Sequence, residues 1–182
     1  MRQFLTRTAV ILLAGAPLLV AGAGAREQVT APDAHARASS VALVVFQNLP
    51  GGAAILSGDY QRGLDESLRA AARSPHRHAM EFATNICAAR VKLGLLEAAN
   101  ESCESALARR PPTGSNWSLN QYRAVAHVNH GVVHLVQGDR EIAVQEFSRA
   151  RRLYPSLGVA SSNRSLAEDM VRKPQVIVGE AL

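Results

Sequence analysis

An all-α chain built from repeated helix-turn-helix units is what this sequence predicts, and three observations carry that reading. Alanine, leucine, arginine and glutamate are abundant while phenylalanine, tyrosine and tryptophan make up only 4%, a composition rich in good helix formers. Three glycines, Gly58, Gly94 and Gly138, share a register: a small residue five positions on (Gly63, Ala99, Ala143), an alanine twelve on (Ala70, Ala106, Ala150) and a proline seventeen on (Pro75, Pro111, Pro155). The copies are offset by 36 and 44 residues, a period that marks a helical solenoid. We therefore expect a short α-solenoid of about 2.5–3 helix-turn-helix repeats, closed by a C-terminal capping helix.

The N-terminus does not belong to that array. A basic start (MRQFLTR), an apolar run (TAVILLAGAPLLV) and the small-residue end Ala23-Gly24-Ala25 have the layout of a signal peptide over residues 1–25, with cleavage before Arg26. The competing reading is an uncleaved anchor, since Thr8 to Ala25 is 18 residues without a charge, the lower edge of a spanning length. Pro17 and the Ala/Gly-rich end suit processing better, and no cysteine precedes Cys87, so the lipid-attached type of export signal is excluded. The expectation is a periplasmic or secreted protein with no stable membrane insertion. Losing Arg2 and Arg7 takes the formal charge from +5 to +3, too mild to suggest a nucleic-acid partner.

Residues 26–57 read as a flexible or extended leader, polar and aperiodic at first. It contains Leu49-Pro50-Gly51-Gly52, which a helix interior tolerates poorly. The first repeat, 58–75, is therefore expected to be partial, contributing only its second helix from Asp59 to about Arg73. Full repeats follow at 80–113 and 124–157, a cap at 158–171 and a tail at 172–182. In each, the glycine ends one helix in a left-handed turn, the small residues let two helices approach, and the proline stops the second helix. About ten additional residues separate the full repeats, with Ser115 or Ser118 as the N-cap of the next helix.

The third copy carries Gly131, then Ala143 and Phe147 in an A-x3-F arrangement, then Pro155. In this it resembles the tetratricopeptide repeat, and the resemblance extends over roughly residues 58–170. It implies stacked antiparallel helix pairs with the first helices forming a concave wall. Within that frame Cys87 takes the slot of Gly131 and Cys103 the slot of Phe147, positions that face each other across a hairpin. In an oxidising compartment such a pair should close. The loop of about 17 residues would then contribute roughly 3 kcal/mol. The alternative is two buried free thiols.

The stretch HVNHGVVH sets His127, His130 and His134 on one helical face. The resemblance places them where the family carries bulky aromatic or aliphatic residues between helices, so the favoured reading is half-buried, hydrogen-bonded histidines. The alternative is a zinc or copper site, with His76 and His78 assisting. The first and last of the three are spread by about 10 Å along a helix, too far for one ion near 2.0–2.1 Å to hold both.

The concave wall is expected to carry Val125, Val128, Asn129, Val132, Leu135 and Val136 in the third repeat, and Glu81, Thr84, Asn85, Ala88, Val91 and Lys92 in the second. A row of exposed valines requires a cover. Either a partner segment supplies it, the reading we adopt, or the chain covers itself with Val41–Phe46 or with residues 175–182. The family's carboxylate clamp is not expected, because Val125 stands where a clamp cation belongs. No nucleophile–base pair, phosphate-binding glycine loop or paired-carboxylate motif is present in the sequence. The functional expectation is a non-enzymatic interaction module of the cell envelope with no cofactor, its partner an unidentified protein or peptide segment.

Overall fold

The computed structural model describes residues 41–74, 76–110 and 117–172. The expected signal peptide, the first part of the leader and residues 175–182 lie outside them. The described residues are all-helical, with seven helices and no strand. These are α1 (Gly52–Leu56), α2 (Tyr60–Arg73), α3 (Ala79–Lys92), α4 (Leu96–Ala108), α5 (Leu119–Gln137), α6 (Arg140–Leu153) and α7 (Gly158–Arg172).

The three register glycines do what their backbone freedom allows. Gly58, Gly94 and Gly138 follow α1, α3 and α5 at φ 90°, 74° and 95°, the left-handed region where a side chain would be strained. Between the two candidate caps of α5 the structure selects Ser118. Its hydroxyl accepts from the Gln121 N–H, and the Gln121 side chain accepts in return from the Ser118 N–H at 2.6 Å. This capping box satisfies two donors that the first turn would otherwise leave open.

One expectation needs correction. The segment around Leu49-Pro50-Gly51-Gly52 does not exclude a first helix before Gly58: α1 forms there as five residues. The proline and Gly51 stay outside it: Gly51 is the N-cap at φ 86°, so the breaking residues start the helix instead of interrupting it. The glycine is also needed for space, because a Cβ there would collide with the Ser67 hydroxyl and the Gly63 carbonyl.

Each helix packs against the next, and α1, α3, α5 and α7 also touch one another in series. One close contact recurs at the same spacing around each turn glycine. The residue seven before each turn glycine meets the residue nine after it: Gly51 against Ser67, Cys87 against Cys103, Gly131 against Phe147. A Cβ on Gly131 would stand 2.6 Å from the Phe147 ring, so the large side chain on α6 requires none on α5. In the middle hairpin the same two positions are bridged covalently, with Cα atoms 5.4 Å apart. The small register residues Ala99, Ala106, Ala143 and Ala150 are completely buried, as close helix approach demands. No helix among the described residues is long and apolar enough to cross a membrane.

Candidate functional site

The side chains of interest lie along the line where α3, α5 and α7 meet Val41–Phe46. That segment has no helical structure and crosses all three helices. One asparagine from each helix engages it. Asn163 Oδ1 accepts from the Ala42 N–H at 3.1 Å while its Nδ2 donates to the Ala42 carbonyl at 2.7 Å. Asn129 makes the same pair with Val44, both at 2.8 Å. Asn85 makes it with Phe46, at 2.8 and 3.1 Å. Alternate residues of an extended chain point their backbone groups to the same edge. A primary amide offers one acceptor and two donors, so each asparagine stands in for one residue of a neighbouring strand.

The strand satisfies amides that are otherwise enclosed by apolar groups. Asn85 and Asn129 are fully buried and Asn163 nearly so. A buried amide without partners costs about 1–3 kcal/mol. Backbone N–H and C=O groups on an apolar wall carry a comparable penalty. The two liabilities cancel, and the pairing tells nothing about side-chain identity.

Side chains are read separately. Val41 and Leu43 pack on the cluster holding Cys87, Val91, Cys103, Val132, Leu135 and Val136. Val44 packs on Ala124, Val128, Ala150 and Ala160, and Val45 on Ile55, Leu64, Ile86 and Ala89. Phe46 sits with Met80, Tyr122 and Ala126, its ring stacked 5.6 Å from Tyr122 and tilted 5.8 Å from Trp117. The valine wall expected to be open to a partner is therefore occupied by the chain itself. Val125, Val128, Val132, Leu135 and Val136 are all buried. Lys92, expected on the same wall, is half-buried at the end of α3, and burial holds its ammonium below the usual lysine range.

The histidine face turns the other way, toward α4 and α6. Glu146 on α6 is buried between them. Its Oε2 lies 2.6 Å from His127 Nδ1 and 3.4 Å from His130 Nδ1, and its Oε1 takes Arg149 at 2.5 Å. His130 reaches Asn100 of α4 through Nε2 at 2.9 Å, and His134 lies 3.6 Å from Asp139. Burial works against the Glu146 charge, but the hydrogen bond with His127 and the nearby His130 ring outweigh it and hold the carboxyl well below its ordinary range. His134 is shifted down, first by burial and then by the adjacent His130 ring 4.5 Å away; Asp139 and Glu146 oppose this only in part. The three side chains are 13–16% exposed. Among the described residues no three His, Cys, Asp or Glu side chains converge as a metal centre requires. His78, considered as an assisting ligand, lies against Glu81 at 3.2 Å, and Glu81 also accepts from the Tyr122 hydroxyl at 3.1 Å.

Two side chains of this region are not singled out by the sequence. Asn163 stands 34 residues after Asn129 while Asn129 stands 44 after Asn85, so neither the 36- nor the 44-residue offset between the copies leads to it. Glu146 has no signal either, because its link to His127 depends on how α5 and α6 are rotated against each other. No protein-family model matches the chain, and no curated protein matches it either.

Proposed function

We propose that this chain is an exported, tetratricopeptide-like module of the cell envelope that works without catalysis, by holding an extended polypeptide segment along a ladder of asparagines. The observation that carries the reading is the three-rung ladder. Asn85, Asn129 and Asn163 present paired donors and acceptors at every second residue of an extended chain. Helices do not need such a row for their own stability. An apolar wall lined with buried backbone-reading amides is the chemistry by which a strand is bound irrespective of its sequence, with flanking pockets adding preference.

Supporting the repeat assignment are the positive-φ glycines, the equivalent contacts in three hairpins and the series of touching alternate helices. Export is supported by the N-terminal layout and by a closed Cys87–Cys103 bridge, which an oxidising compartment maintains. The test is binding of a panel of apolar decapeptides to the purified full-length protein, with titration to millimolar concentration. Binding that disappears when Asn85, Asn129 and Asn163 are together replaced by serine supports the reading. Absence of binding across the panel at every concentration overturns it.

A further inference from the structure

We propose that Val41–Phe46 is a displaceable internal ligand that keeps the groove closed, and that the partner it excludes is an uncharged, apolar extended segment lacking proline at the three positions read by asparagine. This rests on the groove reading above and adds to it a gate and a recognition rule.

The geometry of the segment supports displacement. Among the described residues its tertiary hydrogen bonds join its backbone to asparagine side chains, six in all, and none of those bonds requires a particular residue in the strand. Any extended chain offers the same N–H and C=O groups in the same order. Val41 is buried, Ala42 is exposed and Leu43 to Phe46 are only partly buried, so the segment is anchored at Val41 and otherwise lies along the surface of the groove. Among the described residues it joins the helices through one connection, the turn over residues 47–51 leading into α1. Leaving the groove therefore breaks no helix.

The recognition rule follows from the same contacts. Residues 42, 44 and 46 each donate an N–H, which proline lacks. The side chains at 41, 43, 44, 45 and 46 enter apolar clusters, where an unpaired charge costs several kcal/mol. Tethering gives the resident segment an effective concentration of order millimolar. A free segment of similar intrinsic affinity then binds the closed protein far more weakly than the open one.

The experiment uses the full-length chain and a fluorescent peptide containing VALVVF, compared between the native protein and Val44→Pro. The substitution removes the N–H that Asn129 accepts and leaves the groove residues unchanged. The expected result is at least tenfold tighter binding by Val44→Pro, with a VALPVF peptide binding neither protein. Equal affinity for both proteins overturns the gate while leaving the groove reading intact. No binding by a folded Val44→Pro protein, with helicity and the Cys87–Cys103 bridge retained, overturns both. A measurement independent of any variant is amide exchange of the native chain. Saturating peptide should accelerate exchange at the chain's own Val44 and Phe46 amides, and unchanged protection there sinks the gate.

Discussion

Asn129 takes both backbone groups of Val44, its Oδ1 accepting the N–H and its Nδ2 donating to the carbonyl, each at 2.8 Å. The contact joins residues 85 positions apart and ties the start of the described chain to the middle of its longest helix. Asn129→Ala strands both groups of Val44 against an apolar wall, and should cost about 2–4 kcal/mol in chemical denaturation. Asn129→Asp keeps the acceptor but sets a carboxylate oxygen against the Val44 carbonyl. It should destabilise at least as much as alanine despite its nearly identical shape. A smaller loss for aspartate would show that the amide donor contributes little.

The equivalence of Cys87–Cys103 with Gly131–Phe147 allows one contact to be transplanted. Breaking the bridge with Cys103→Ala should cost roughly 3 kcal/mol. The double change Cys87→Gly with Cys103→Phe should recover much of it, because the neighbouring hairpin already fills that space with an aromatic ring over a glycine. Recovery no better than the single variant would mean the two hairpins pack differently at this level. Melting curves under oxidising and reducing conditions report both.

Gly131→Ala tests the same slot from the other side. Its Cβ would lie 2.6 Å from the Phe147 ring, and the buried ring has little room to yield. The expected loss is about 1–3 kcal/mol, the usual range for overpacking. Gly131→Ala combined with Phe147→Leu should lose less than the sum of the two single changes.

Glu146 gives acid sensitivity of known sign. Its carboxyl titrates below the unfolded value of 4.5 because the hydrogen bond with His127 and the nearby His130 ring outweigh its burial. The stability it contributes is thus complete above about pH 4.5 and is lost as pH falls below that. Glu146→Gln should flatten the stability profile in that acid range. At pH 7 it should cost about 1.5–3 kcal/mol, since His127 Nδ1 then loses its hydrogen bond to a charged group.

His134 acts in a separate window. Burial and His130 lower its folded pKa from 6.5, so the unfolded chain takes up the proton first and stability declines as pH falls below about 6.5. His134→Gln should remove that decline, seen as melting temperatures that change less between pH 7 and pH 5.5 than those of the native chain. An unchanged slope would assign the acid sensitivity in this range to another group.

Local chemistry in the sequence determined much of this molecule by itself. Gly58, Gly94 and Gly138 end helices because only glycine adopts their backbone cheaply, and the Ala99 and Ala143 positions pack tightly because small residues permit it. The Cys87–Cys103 pairing was legible through the tetratricopeptide resemblance, which sets both at slots that face each other across one hairpin, and the two sulfurs meet there. The α1 helix was not legible, because Pro50 and Gly51 break a helix interior and begin a helix equally well, and one residue of register separates the two outcomes. What covers the valine wall was decided by tertiary structure alone. Two apolar segments were equally suited by composition. The choice of Val41–Phe46 depends on three amides from three helices falling on one line, a coincidence of helix placement and rotation that no window of sequence contains.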